Sequence, residues 1–305
     1  MPELRTEIMT VNMGPQHPST HGVLRVILQL DGEVVVSADA TIGYLHTGIE
    51  KTCENKKWQQ VIPLVERMDY LSAQSNSLAY VLSVEKLLGI QVPDRVAHIR
   101  MLIAELQRIN SHLVWLGSHA MDVGAVSVML YCFRERELLL NINELIAGFR
   151  MFTSYNSVGG LREDLPAGFN DAVRAFLDRF QAKLREYEDL LTQNEIWKRR
   201  TIGIGVLTKE DAIGWGLAGP MARASGVAYD VRRAFPYLLY DTVDFEVPLG
   251  GAGDVYDRYL VRVEEMRQSA NICRQLIDRI TPTGVFDIQD YRIVPPPKDR
   301  VYTEM

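Results

Sequence analysis

Near residue 50 the spacing of apolar positions changes from strand-like to helical. Before that point, residues 23–30 form an almost unbroken apolar and β-branched run, and 33–38 resume the same character. Between them Asp31-Gly32 favours a two-residue loop, so the stretch predicts a β-hairpin. Residues 41–51, with Gly43, His46 and Gly48, read as a connector entering a helix near Glu50. Beyond it, Leu71, Leu78, Val81, Leu82, Leu87 and Leu88 share one broad face, predicting a helix over 68–88 that Gly89 closes as a C-cap. Pro93-Asp94 opens the next helix, expected to reach about His119, and another is expected over 126–149. Gly159-Gly160 and Asp164-Leu165-Pro166 punctuate a loop before an amphipathic helix over 169–191. A mixed, turn-rich segment over 202–247 precedes a last long helix over 254–280. The expected fold class is therefore mainly α with a small N-terminal β-hairpin region (α+β). Its parts would be a hairpin region over 1–48 and a helical core over 49–305.

With 305 residues the chain is long enough to bury a large core. Its 47% hydrophobic and 24% charged composition is ordinary for a water-soluble domain. A formal net charge of −6 and the lack of a dense basic run disfavour nucleic acid as a partner. The short Lys198-Arg199-Arg200 cluster reads as a solvated helix end or a subunit contact. No run of 18 apolar residues is present, so no bilayer span is expected, and the acidic N-terminus does not resemble a secretory signal. Cys53, Cys132 and Cys273 are odd in number and form no CxxC pair, which argues against a disulfide framework or a cysteine-ligated cluster held by this chain. Pro295-Pro296-Pro297-Lys298 followed by 301–305 reads as a linker into a further element, so the C-terminus is expected to be incomplete.

Candidate chemistry gathers toward the N-terminus. All six histidines, at 17, 21, 46, 98, 112 and 119, precede residue 120. Histidine is the side chain suited to moving protons near neutral pH. His17 and His21 lie in Gly14-Pro-Gln-His-Pro-Ser-Thr-His-Gly22, a loop-forming segment with no core to fill; they either make turn hydrogen bonds or carry chemistry. His112 and His119 share a helical face, but no carboxylate stands at metal-site spacing beside them. Gly203-Ile204-Gly205 lacks the third glycine of a dinucleotide fingerprint, and Gly250-Gly251-Ala252-Gly253 lacks the Lys and Ser/Thr of a phosphate loop, so both read as turns. Four adjacent charges, Arg134-Glu135-Arg136-Glu137, point all round a helix, so at least one must face inward. Arg67, Asp69 and Asp122 raise the same question: Asp122 is either a cap for the following helix or a group that needs a partner.

Longer blocks carry a family resemblance. Gly14 through Arg25, Gly43-Tyr-Leu-His-Thr-Gly-Ile-Glu-Lys51, Arg67-Met-Asp-Tyr70, Val84 through Gly89, Phe133-Arg-Glu-Arg-Glu137, Ala224-Ser-Gly-Val227 and Tyr229-Asp-Val-Arg232 occur in order. Together they resemble the D subunit of NADH–quinone oxidoreductase, respiratory complex I, over essentially the whole chain. The resemblance implies a hydrogenase-large-subunit-like helical core in the peripheral arm, on the cytoplasmic side of the inner membrane. It also implies contacts with the B and C subunits and with the membrane subunit at the quinone entrance. The substrate it implies is a quinone, ubiquinone or menaquinone, with the [4Fe–4S] cluster in the neighbouring B subunit and no metal or nucleotide in this chain. His21 and Tyr70 would hydrogen-bond the quinone carbonyls, His17 would support the loop, and Asp122 would pair with His21.

The family is also similar to the nickel–iron hydrogenase large subunit, whose N-terminal CxxC positions align with Asp69 and Ser72 here, so a soft metal site lacks its thiolates. A non-catalytic scaffold that holds the iron–sulfur subunit is the other rival. Two departures from the family stand out. Phe152 and Ser157 occupy positions where many relatives carry a histidine and an arginine near the terminal cluster, and the family continues beyond residue 305.

Overall fold

The computed structural model describes residues 7–294, 296, 300, 302 and 303. The first six residues and most of the proline-rich tail lie outside this set. The chain divides into two compact units, residues 1–55 and 56–305.

The first unit is built on an antiparallel sheet of β1 (Ile8–Met13), β2 (Arg25–Asp31) and β3 (Val34–Thr41), in the order β1-β2-β3. The predicted hairpin is present, with its loop one residue later than expected. Asp31 pairs with Val34, leaving Gly32 and Glu33 as the loop, and Gly32 takes the left-handed φ of +63° that its first position demands. The segment preceding the two-histidine loop forms a third strand that apolar spacing does not predict. A short helix, α1 (Ile49–Cys53), follows the connector, as expected from Glu50.

The second unit is mainly helical, in agreement with the expected class. After α2 (Trp58–Glu66) come α3 (Ala73–Leu88), α4 (Asp94–Asp122) and α5 (Val126–Ala147). Next are two-residue strands β4 (Asn156–Ser157) and β5 (Gly160–Leu161), then α6 (Phe169–Leu191). The short helix α7 (Glu195–Thr201) comes next, and three more, α8 (Lys209–Gly214), α9 (Gly219–Ala224) and α10 (Val231–Ala234), occupy the mixed segment before α11 (Val255–Ile277). The helix expected over 68–88 starts only at Ala73, because 67–72 turn, and α2 before it is an addition to the expected elements. At the other end Gly89 closes α3 with φ +68°.

With 29 residues, or about 43 Å of length, α4 is the central element. It packs against α3, α5 and α11, while α6 covers α5 and α11. Val96, Ile99, Leu102, Ile109, Leu113 and Leu116 of α4 are buried, and so are Tyr259, Met266, Ala270, Cys273 and Leu276 of α11. Neighbouring elements cover most of α4 between its exposed ends, Asp94 and Asp122, so the charges in the covered stretch, Arg100 and Glu105 among them, must pair inside the protein.

Arg100 of α4 is one such charge. Its guanidinium, fully buried, bonds the Glu85 carboxylate at 2.7 and 2.9 Å and the carbonyls of Ser157 and Gly160 at 2.7 and 2.9 Å. Glu85 in turn accepts the Gly159 N–H at 2.7 Å. This clamp holds the double-glycine hairpin so tightly that a Cβ on Gly160 would lie 2.3 Å from the Phe286 carbonyl oxygen. Gly160→Ala is therefore expected to destabilise the chain by about 3 kcal/mol, read as a lower denaturant midpoint; an unchanged midpoint would show that the hairpin yields.

Candidate functional site

In the first unit the two-histidine loop is fastened by its own polar groups. His17 caps a 3-10 turn over Pro18–Thr20, its Nδ1 accepting the Ser19 N–H at 3.1 Å. That bond places the proton of a neutral His17 ring on Nε2. Thr20, 3% exposed, donates its hydroxyl to the carbonyls of Pro15 and His17. His21 then closes the turn with φ +53° and ψ +21°, a left-handed conformation that costs a non-glycine residue about 1 kcal/mol and collects at functional positions. Both imidazoles are exposed. His17 thus has a clear structural role, whereas the backbone at His21 is held against its own preference.

Tyr70 and Asp122 belong to the second unit. The turn bearing Tyr70 is anchored on four sides. Gln107 of α4 donates to the Leu71 carbonyl at 2.6 Å, Asn76 donates to the Asp69 carbonyl at 3.2 Å, the Arg67 guanidinium stacks 4.6 Å over the Phe152 ring, and Glu66 grips Ser154. Asp69 itself accepts the Leu71 N–H at 3.1 Å, an Asx turn that fixes the backbone on both sides of Tyr70. On this rigid turn the phenol is 46% exposed. Ser72, at the other aligned hydrogenase cysteine position, shares a hydrogen bond with Ser75 at 3.0 Å.

Asp122 is the last residue of α4 and is exposed, so it does not cap α5, whose N-cap is Ala125. From Gln107, where the Tyr70 turn is fastened, it lies roughly four turns or about 22 Å further along the helix axis. A carboxylate at a helix C-terminus faces the negative end of the macrodipole and gains from a cation beside it. One turn back, His119 stacks on Trp115 at 4.9 Å and meets Trp197 edge-on at 5.5 Å. Burial, with help from Arg262, holds the His119 pKa below the usual histidine range, against the pull of Asp122. His112 is likewise a core residue, its Nε2 lying 2.7 Å from Glu265. Burial keeps His112 below the usual range despite that partner. No group of three or more His, Cys, Asp or Glu among the described residues is arranged to hold a metal.

Around Glu105 lies a cluster that the sequence patterns do not single out. Its carboxylate, fully buried, accepts from Arg108, Arg232, Tyr240 and Ser269. Arg232 also binds Asp230, and Asp230 lies 3.7 Å from Arg223, whose guanidinium bonds Glu265. The file of alternating charge thus runs from Glu105 to His112 along the α4–α11 seam. Burial pushes both carboxyls up, but the guanidiniums of Arg108 and Arg232 and the hydroxyls of Ser269 and Tyr240 hold Glu105 well below the usual range. Glu265 is drawn down to about 2 by His112, Arg223 and Arg108. One signal for the cluster is local: Glu105, Arg108 and His112 share a stripe of a helix whose other positions are largely apolar.

Elsewhere the expectations drawn from charge and glycine hold. Glu135 and Arg136 are the buried members of the Arg-Glu-Arg-Glu run, and Glu135 is bonded by Arg134 at 2.6 Å and Arg179 at 2.8 Å. The loop over 250–253 directs the N–H groups of Gly251 and Ala252 at Asp257, at 2.7 and 2.6 Å, so its anion-binding capacity is taken up by the chain's own carboxylate. All three cysteines are free, and burial pushes the Cys132 thiol up to about 12. Among the described residues no helix is long and apolar enough to cross a membrane.

Fold and site define a class: a helical scaffold that presents an exposed phenol on a fixed turn, joined in one chain to a small sheet unit carrying an imidazole loop. Residues 122–305 match the family described as the 49 kDa subunit of respiratory-chain NADH dehydrogenase. One NADH-quinone oxidoreductase D subunit of Chloroflexus aurantiacus, the form numbered 2, is 54% identical, the alignment covering 99% of this chain and 74% of that protein. Its namesake from a Roseiflexus species is 55% identical over 98% of this chain and 72% of its own length, and the D subunit of Geotalea uraniireducens is 53% identical over 98% and 77%. The chain belongs to this family, that of the NADH-quinone oxidoreductase D subunits, and so to the components of a complex I oxidoreductase.

Proposed function

We propose that the chain forms the quinone-reducing end of its complex, with His21 and Tyr70 as proton donors to the quinone and Asp122 as the group that sets the charge of His21. The observation that carries the reading is the half-exposed Tyr70 phenol on a turn anchored from α3, α4 and the 152–154 segment. Converting a quinone to a quinol takes two electrons and two protons, and negative charge grows on the ring oxygens as electrons arrive. Donors fixed in advance stabilise that charge without reorganising. A phenol yields its proton only to a strong base such as a reduced quinone oxygen.

Asp122, a carboxylate at a helix C-terminus, gains from a cation, and in this reading the His21 imidazolium supplies it. His17 holds the loop. Electrons come from the [4Fe–4S] cluster of the neighbouring B subunit, and the quinone is ubiquinone or menaquinone. The chain itself sits peripherally on the cytoplasmic side of the inner membrane, against the B and C subunits and the membrane subunit at the quinone entrance.

Once His21 has given up its proton, Asp122 loses a cationic partner, and its movement begins the coupling to proton translocation. Asp122→Asn removes that charge while keeping the shape. It is expected to lower NADH:quinone turnover by about tenfold and to reduce protons moved per quinone, measured in reconstituted vesicles. Full turnover with full pumping would refute the coupling role.

A further inference from the structure

Glu66 is the last residue of α2, immediately before the turn that carries Tyr70, and none of its surface is exposed. Its carboxyl accepts the Ser154 N–H at 2.8 and 3.1 Å and the Ser154 hydroxyl at 3.0 Å. Ser77 of α3 acts on the same carboxyl, and its hydroxyl donates to the Gln74 carbonyl at 3.1 Å. Ser77 also accepts from Asn156 at 3.2 Å, and Asn156 donates to the Gln74 carbonyl at 3.1 Å. Among the described residues, three polar atoms of this small region make no hydrogen bond: Gln74 Nε2, Thr153 Oγ1 and Asn156 Oδ1. The residues that bear them are 1%, 6% and 1% exposed. Buried groups of this kind are satisfied by internal water. Ser154 and Thr153 also line a surface cleft of about 210 Å³, with Arg162 and Glu163 among its walls. A polar route therefore leads from the cleft through Ser154 to Glu66, then past Ser77 and Asn156 to Gln74 in the first turn of α3.

We propose that Glu66 is an internal acid that returns protons to Tyr70, loaded from the cleft through Ser154 and discharged through ordered water held by Thr153, Asn156 and Gln74. The inference rests on the quinone-site reading and deepens it. After Tyr70 has given its proton to the reduced quinone, the phenolate must recover one before the next turnover. The O–H bond of Glu66 breaks, the proton passes along water and hydroxyl groups, and the phenol O–H re-forms. The Glu66 carboxylate then takes a proton from solvent, so each cycle consumes one solvent proton and needs no oxidant or reductant. Burial raises the pKa of Glu66 above the usual carboxylate range, although Ser154, Ser77 and Arg67 pull it back, which keeps a proton on it closer to neutral pH. Arg67 is the charged group facing it from its own turn. From α3 and from the 153–156 segment the groups that act on it are the uncharged Ser77 and Ser154.

The test uses the assembled enzyme. Glu66→Gln keeps an acceptor for Ser154 but carries no proton. It is expected to slow NADH:quinone turnover by about tenfold at about pH 8 and by less at about pH 6. Electron transfer from NADH to ferricyanide should be unchanged, and added formate should restore part of the quinone rate. Wild-type turnover across this pH range overturns the proposal, and so does a loss independent of pH that formate leaves in place. Should Glu66→Gln fail to assemble, Thr153→Val decides. Valine keeps the shape of the side chain and removes only the hydroxyl that holds the water, so the proposal requires slower quinone reduction, and an unchanged rate overturns it. Tyr70→Phe separates the two levels: impaired Tyr70→Phe with normal Glu66→Gln sinks only the relay, whereas near-normal Tyr70→Phe sinks the quinone-site reading itself.

Discussion

Tyr70→Phe and His21→Ala are each expected to lower the quinone-reduction rate of the assembled complex by about 10²-fold. The loss should fall mainly on kcat, because the hydrogen bonds to the quinone oxygens strengthen only as electrons arrive. Phenylalanine preserves the ring and leaves the turn intact, since the anchors from Gln107, Asn76, Arg67 and Asp69 involve other residues. Alanine at position 21 removes the imidazole and leaves the left-handed backbone in place. The check is NADH:quinone turnover beside NADH:ferricyanide turnover in the same membranes, the latter reporting assembly and upstream electron flow. Near-normal quinone rates in normally assembled variants would favour the scaffold reading, in which the chain holds the iron–sulfur subunit and contributes no chemistry.

Most of the helical frame is legible from apolar spacing, because the long helices bury one continuous face each. Residues 169–191 are helical with the bounds read from the pattern, and Gly89 and Pro93 mark real ends. The elements that spacing misses share a cause. α2 carries Pro63 inside it and is nine residues long, too short for its period to separate from that of α3. β1 is only six residues long, with two polar positions among its apolar ones, and gains its identity by pairing with β2. The turn over 67–72 is fixed by long-range partners, Gln107 and Phe152, which no local pattern announces.

For the site the division is different. His17, His21 and Tyr70 are conspicuous as residues in loop-forming or turn contexts, and the structure supplies what the sequence could not: which of them are held rigidly and by what. Glu66 and Glu105 are hidden for the opposite reason. Each is a lone glutamate within helical spacing, with an arginine one to three residues on, where a solvated ion pair is the ordinary reading. Burial by a distant segment, 153–156 for Glu66 and α10 with α11 for Glu105, reverses it.

Glu105→Ala is expected to produce the largest loss of stability, about 3–5 kcal/mol, because it strands the guanidiniums of Arg108 and Arg232 beside each other in the core. The wild-type carboxylate is the meeting point of four donors, and Arg232 itself is only 2% exposed. Glu105→Gln retains some of the hydrogen bonds but not the charge, and should fall between the two. The pH dependence follows from the same geometry. Glu105 and Glu265 are held below their unfolded-state values, so the unfolded chain binds more protons in acid, and their contribution is complete above the ordinary carboxylate pKa near 4.3. For Glu265 it is lost as pH falls toward about 2. His112 acts in the same direction at higher pH: its folded-state pKa lies below the ordinary histidine value, so stability declines as pH drops below about 6.5. Urea midpoints measured from neutral pH into acid should therefore fall in the wild type, and fall less steeply in Glu105→Ala, which no longer has that carboxylate to protonate. A Glu105→Ala chain with the wild-type midpoint at neutral pH would mean that the buried file of charges contributes nothing to holding α4 against α11.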